Sequence, residues 1–254
     1  MFWMLAILAS AQAPATALEP SSSWTLSSQD DGCTVAQGYS EDHTIQVGFQ
    51  TTMQTRPAFL LVRAPKKLLP AGIGEAQITL DESKPVSVHY GSFETNEPGV
   101  RLVKFFPDEA TMTRIATTKA IGIGVNMPML KIANADEAIK AVDTCTADKL
   151  VSWGVDPSIY FQRKTASGNL GLLFDAKDYP KEARDRGISG RVVLLLKTDK
   201  IGGITDCKVV ASADQSLNVG SCEAAKRGTV KPPVDLAGQP IASYVVVPVV
   251  WRHP

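Results

Sequence analysis

The run Ser243-Tyr-Val-Val-Val-Pro-Val-Val-Trp251 confines the end of this chain to one kind of place. Its valines and aromatics favour extended backbone. Pro248, in the middle of it, cannot donate a ladder hydrogen bond, so a strand over residues 244–251 belongs at a sheet edge. The strand needs a neighbour, and Val192-Val-Leu-Leu-Leu196 supplies one. Val192, Leu194 and Leu196 share one face of that segment, Val193 and Leu195 the other. Both faces are apolar, which predicts helix material over one side and a second surface over the other. Residues 200–203 make a hairpin turn, and residues 204–210 return antiparallel.

Helices are predicted on either side of this hairpin. Pro180 suits the first turn of a helix over residues 179–186, with Asp178 as its cap and Gly187 as its C-terminal stop. A second helix is predicted over residues 217–227, although Gly220 costs about 1 kcal/mol against alanine in a helix interior. The derived order is helix, strand, strand, helix, edge strand: an α+β unit built on an antiparallel sheet.

The first half of the chain reads differently. Trp24 and Leu26, then Asp30-Asp31-Gly32, then Cys33 and Val35, have the pattern of a hairpin. Ile45, Val47 and Phe49 alternate, as do Ile78 with Leu80, and Val86, Val88 and Tyr90. Residues 59–62 and 100–106 read as buried strands. Near Asn134 the period changes, with Glu137 three residues on as in a capping box. Ile139, Val142, Cys145, Lys149 and Leu150 then recur at helical spacing up to Trp153, and Gly154 and Pro157 stop the helix. The expected organisation is a β-rich domain over residues 22–157 closed by a helix, a linker over 158–175, and the α+β domain over 176–254. Within the linker, residues 170–174 are apolar and expected to dock on one of the domains.

Residues 1–17 form a short apolar run followed by small residues, and Ala11-Gln-Ala13 and Ala15-Thr-Ala17 both fit a signal-peptidase site. The apolar core covers about a dozen residues, where a membrane span needs roughly 20. No Lys or Arg precedes it, which leaves an uncleaved inner-membrane anchor or a different start codon as the alternatives to a cleaved signal peptide. Export to the periplasm agrees with an even set of four cysteines, Cys33, Cys145, Cys207 and Cys222. No CxxC spacing occurs, so neither zinc nor a thioredoxin-like site is indicated. Four cysteines allow three pairings. Their distribution about the domain boundary favours Cys33 with Cys145 and Cys207 with Cys222, each bridge inside one folding unit.

The C-terminal pattern resembles the C-terminal domain family of TonB, over residues 179–252. The matching residues are Tyr179, Pro180, Ala183, Gly187, Gly190, Val192, Gly203, Leu217, Pro233, Gly238, Pro240 and the Val-Pro-Val around Pro248. Members often carry Arg-Phe-x-Pro-Ala after the second helix; here Lys231 stands at the phenylalanine position, Val234 at the alanine, and Asn218 at a frequent aspartate. The resemblance implies a periplasmic domain that binds outer-membrane transporter segments by lending its sheet edge, in TonB-dependent transmembrane transport. The edge would be Ser243, Tyr244, Val245, Val246, Val247, Val249, Val250 and Trp251. Energy transducers of the family also carry an uncleaved membrane helix and a Pro-rich spacer, so the resemblance implies a peptide-binding relative. Cysteine-bearing forms with an extra N-terminal domain resemble envelope proteins of alphaproteobacteria. The alternative is a structural or assembly protein of the envelope that forms a homodimer through the same strand.

Other chemistry finds little support. His43, His89 and His253 are scattered. Gly122-Ile-Gly124 lacks the third glycine of a dinucleotide fingerprint and reads as a bend between strands. No nucleophile elbow or phosphate loop occurs. Asp30-Asp31 and Asp108-Glu109 read as turn or cap residues. Arg184-Asp-Arg186 and Lys226-Arg227 read as solvated faces. A formal net charge of +0 argues against nucleic acid as a partner. The expectation is a non-enzymatic chain with no cofactor, touching a membrane only through its leader.

Overall fold

The computed structural model describes residues 17–42, 44–52, 55–165 and 170–253. Residues 1–16, which hold nearly all of the expected leader, lie outside them, as do His43 and residues 166–169 of the expected linker.

The first part of the chain alternates short apolar stretches with turns, and it folds into one antiparallel sheet of nine strands. These are β1 (Thr25–Gln29), β2 (Gly32–Gly38), β3 (Gln46–Thr52), β4 (Thr55–Pro65), β5 (Ile73–Leu80), β6 (Val86–Glu94), β7 (Val100–Phe105), β8 (Ala120–Ile123) and β9 (Leu130–Lys131). Their order across the sheet is β1-β2-β3-β4-β7-β6-β5-β8-β9. Asp30-Asp31 closes the first hairpin, with Gln29 opposite Gly32. Gly122 lies inside β8, and the bend falls at Gly124, where φ is +62°. Val47, Phe49, Leu60, Val62, Ile78, Val103 and Phe105 are fully buried on the core side.

Two helices cover that side. The first, α1 (Glu109–Thr117), has no counterpart in the strand-rich reading of the sequence. Asp108 caps it by accepting a hydrogen bond from the Thr111 amide at 2.8 Å, and Met112 and Ile115 point into the core. The second, α2 (Ala135–Ser152), buries Ala138, Val142, Thr146 and Leu150 along one face. Its start differs from the expected capping box. Asn134 sits in the left-handed region at φ +55° and makes no side-chain cap bond; its carbonyl accepts from Ala138 instead. Cys145 on α2 is bonded to Cys33 on β2, which ties the helix to the sheet across 112 residues.

After Gly154 come α3 (Pro157–Phe161) and the short β10 (Arg163–Thr165). The C-terminal part follows as α4 (Lys181–Asp185), β11 (Gly190–Thr198), β12 (Ile204–Ser212), α5 (Asn218–Arg227), β13 (Val234–Asp235) and β14 (Ser243–Trp251). Here a three-stranded antiparallel sheet has the order β12-β11-β14, and β10 pairs with β13. The protein is thus α+β, with a large and a small antiparallel sheet.

The two apolar faces of β11 find the two covers that their composition demands. Val192, Leu194 and Leu196 pack with Ala183, Leu217 and Ala225 of the C-terminal helices, and with Leu173 from the segment before α4. Val193 and Leu195, with Val246 of β14, pack against Leu150 and Val155 from the end of α2 and the turn after it. The second cover therefore comes from the N-terminal part of the same chain. An ion pair between Arg191 of β11 and Asp31 in the first hairpin, at 2.6 Å, and a bond from Lys208 Nζ to the Trp153 carbonyl, at 3.1 Å, join the parts at the rim.

Candidate partner-binding edge

The site implied by the sequence is β14, and its geometry follows from its pairing. β14 is in unbroken register with β11, from Gly190 opposite Trp251 to Thr198 opposite Ser243. Pro248 lies opposite Val193. The Arg191 carbonyl accepts from Ala213 on the β12 side. Because backbone groups alternate along a strand, Arg191, Val193 and Leu195 address β12, and Gly190, Val192, Leu194 and Leu196 address β14. Their opposite numbers, Trp251, Val249, Val247 and Val245, form the inner ladder. Tyr244, Val246, Pro248 and Val250 turn their backbone outward, so the proline falls where a missing N–H breaks no bond.

The outer edge is not uniform. Tyr244 and Val246 are engaged in further interactions, and Val246 is buried under α2. Pro248 and Val250 are exposed, Val250 at 59%. Ser243, Val245, Val247, Val249 and Trp251 face the helices and are buried. The accessible stretch of edge is therefore the half that contains Pro248 and Val250.

Trp251 is core, and Tyr179, Ala183 and Leu217 of the motif share its hydrophobic cluster. Its ring meets Tyr179 at 5.4 Å and Phe174 at 6.0 Å between centroids, both edge-on. Its indole N–H donates to Ser221 Oγ at 2.8 Å, and Ser221 in turn donates to the Leu217 carbonyl. Tyr179 donates its hydroxyl to the Ile188 carbonyl. Ala183 and Leu217 are fully buried beneath these rings. Gly187 adopts φ +64°, the left-handed stop that the sequence predicts. Gly190 opens β11 opposite Trp251, and Gly203 follows the hairpin turn, its amide donating to Asp199. Gly238 turns the chain so that Pro240 bridges back to Val234.

One predicted helix start is corrected. Tyr179 and Pro180 are extended, so α4 begins at Lys181, and Asp178 does not cap it. The Asp178 carboxylate accepts from the Asp175 amide and pairs with Arg227 of α5. Arg227 is thus an ion-pair partner, and Arg186 likewise contacts Glu182 and Asp214; the expected solvated faces are partly engaged. Hydrogen bonds hold two local carboxylates below the usual range: the Lys177 backbone and side chain do so for Asp175, and the Ser216 hydroxyl and amide for Asp214.

The cysteine pairs are Cys33 with Cys145 and Cys207 with Cys222, the second joining β12 to α5 across 15 residues. His89 is exposed beside Glu75, and His253 lies against the Tyr179 ring. Among the described residues no group of His, Cys, Asp and Glu is placed to hold a metal. Sequence reasoning missed Ser221 and the Arg191–Asp31 pair. Ser221 lies four residues after Leu217 and next to Cys222, a helical spacing that could have placed it inward. Nothing local in the sequence marks a pair 160 positions apart.

No curated protein and no solved structure matches this chain. Residues 175–253 match the Gram-negative bacterial TonB protein C-terminal family, and this part of the chain, with Tyr179 packed on Trp251 of the edge strand, is a TonB C-terminal domain.

Proposed function

We propose that this chain is an exported interaction protein of the cell envelope, in which the TonB C-terminal domain binds an extended segment of an outer-membrane transporter by strand addition beside β14. One observation carries the reading: β14 is the last strand of its sheet, and Pro248 and Val250 on it are exposed. Main-chain hydrogen bonds would supply the affinity, and alternate side chains the selectivity. Tyr244 and Val246 are already engaged, which favours an added strand that runs along Pro248, Val249, Val250 and Trp251. The family is non-catalytic, and the domain acts by binding alone.

The envelope location is supported by the TonB domain and by two disulfides, which persist in oxidising compartments. No helix among the described residues is long and apolar enough to cross a membrane.

The test is a titration of the isotope-labelled full chain with synthetic N-terminal segments of outer-membrane transporters. Amide shifts should concentrate at Val249, Val250 and Trp251, and Val250→Pro, which removes an outward N–H, should abolish them. Peptide binding that leaves these amides unmoved would refute the placement. If the same amides shift on raising protein concentration alone, with a doubled mass, the strand serves self-association instead.

A further inference from the structure

The molecule has a second open edge, in the part of the chain that precedes the TonB domain. β1 ends the nine-stranded sheet, pairs with β2 alone among the described residues, and is exposed along its whole length. The two-residue turn at Asp30-Asp31 sets Gln29 opposite Gly32 as the closing pair. By the alternation of antiparallel pairing, Thr25, Ser27 and Gln29 bond to β2, and Leu26 and Ser28 turn their N–H and C=O groups outward. No partner meets those groups among the described residues. The edge also lacks the usual protections, since Thr25–Gln29 contains no proline, lysine or other charged residue.

Beside this edge lies a shallow groove of about 510 Å³, lined by Leu26 and Ser28 on one side and by Ala141, Thr144, Cys145 and Asp148 of α2 on the other. Leu26 and Ser28 lie opposite Val35 and Cys33, so their side chains share the sheet face that α2 covers. A strand added to β1 would lower every second side chain into this groove. Leu26, a leucine left 48% exposed, would form its apolar floor with Ala141 and the Cys33–Cys145 disulfide.

Charge narrows the occupant. The exposed carboxylates at the rim are Asp148, which lines the groove, and Asp30, in the turn two residues beyond Ser28, and neither forms an ion pair among the described residues. Lys149, which also lines the groove, lies over the Trp153 ring at 5.9 Å, and Asp31 is taken by Arg191, which leaves two carboxylates against one cation at the rim. A second copy of the chain would bring the same acidic rim to the edge, whereas a strand carrying Lys or Arg complements it.

We infer that the β1 edge and the groove under α2 form a docking site for an extended segment of a partner protein, with small apolar residues at alternate positions and basic residues between or beside them. The site is independent of the β14 edge and lies in the other sheet. Binding there adds a tenth strand to the large sheet.

The probe is a fluorescein-labelled peptide of sequence Lys-Val-Thr-Val-Thr-Val-Lys, titrated into the full-length protein and followed by anisotropy, with amide exchange of the wild-type protein measured alongside. Saturable binding is expected, with new protection at the Leu26 and Ser28 amides. Ser28→Pro removes one outward donor without breaking the β1–β2 ladder, and should weaken binding by about 5- to 10-fold. Asp148→Lys, in a helix away from the ladder, should weaken it further at low salt, and Val250→Pro in the other sheet should leave it unchanged. The inference is overturned by any of three results: no saturable binding, binding without protection at Leu26 and Ser28, or equal affinity in Asp148→Lys. A concentration-dependent doubling of mass that Ser28→Pro removes would also overturn it, in favour of self-pairing. Loss of binding in Val250→Pro with β1 unprotected would move the peptide to the β14 edge.

Discussion

Pro180 packs so closely on Gly220 that a Cβ at position 220 would lie 2.8 Å from Pro180 Cγ and 2.9 Å from its Cβ. This contact brings α5 against the extended entry to α4, and it explains a glycine that helix propensity alone disfavours. Gly220→Ala should therefore destabilise the protein by about 1–3 kcal/mol through overpacking, although the same change in a free helix is favourable by about 1 kcal/mol. Chemical denaturation decides it. A stabilised Gly220→Ala protein would show that the two segments are not in contact.

Trp251 and Ser221 form a buried hydrogen bond that ties the last strand to α5. Ser221→Ala leaves the indole N–H without a partner and should cost about 1–3 kcal/mol; Trp251→Phe removes the donor and adds a small packing loss. The double variant should cost less than the two singles combined, because the second change removes a group already orphaned by the first. Additive costs in a denaturation cycle would mean that the bond is absent in solution.

Each disulfide is expected to stabilise its own part of the chain. The chain-entropy account gives about 3 kcal/mol for the 15-residue loop between Cys207 and Cys222, and about 5 kcal/mol for the 112-residue loop between Cys33 and Cys145. Cys33→Ser with Cys145→Ser should thus lower the melting temperature more than Cys207→Ser with Cys222→Ser. Thermal scans of the two double variants under oxidising conditions test the order. Equal losses would point to native-state contributions that the loop argument does not contain.

Where the sequence was informative, the cause was local. Pro248 could lie only on an edge, and the outward turn of its backbone is the reason it is tolerated there. The alternation around Val47 and Phe49, the helical recurrence of Val142, Cys145 and Leu150, and the stop at Gly187 all depend on near neighbours, and the structure keeps them. Helix α1 is hard to read locally because its two inward apolar residues, Met112 and Ile115, are too few to set a period; its one strong signal is Asp108, a cap residue just after Pro107. Asp178 reads as a helix cap because it precedes Pro180, but a more distant partner, Arg227, takes its carboxylate. The apolar Val193 and Leu195 face announced that something must cover it. That the cover is Leu150, more than forty residues earlier, is a long-range fact no local pattern carries.

The shared core of Leu150, Val155, Val193, Leu195 and Val246 implies that the C-terminal domain depends on the rest of the chain for its stability. Leu150→Ala should destabilise the whole protein by about 2–5 kcal/mol, as for other buried leucines. A fragment of residues 175–253 should expose the apolar face of β11 and β14, bind a hydrophobic dye, and associate at lower concentrations than the full chain. Sedimentation of fragment and full chain compares them directly. A monomeric fragment with no dye binding and an unchanged unfolding midpoint would show that this contact contributes little.

Asp108 offers a pH test of a single helix cap. The Thr111 hydroxyl and amide, both hydrogen-bonded to its carboxylate, hold its pKa below the ordinary aspartate range. The folded state therefore binds a proton at Asp108 less readily than the unfolded chain does. Its contribution is complete above the unfolded value, about 3.9, and is lost as pH falls through the lower native value. Asp108→Ala should cost about 1 kcal/mol at neutral pH, the usual loss for a helix cap. Asp108→Asn keeps an acceptor at every pH, so the gap between wild type and Asp108→Asn should shift against the wild type on acidification below about pH 4. Other lowered carboxylates, Asp81 and Asp136 among them, titrate equally in both proteins and cancel in the difference. Denaturant midpoints of the two proteins measured from neutral pH downward provide the comparison. Parallel curves throughout would mean that the carboxylate is not the cap of α1.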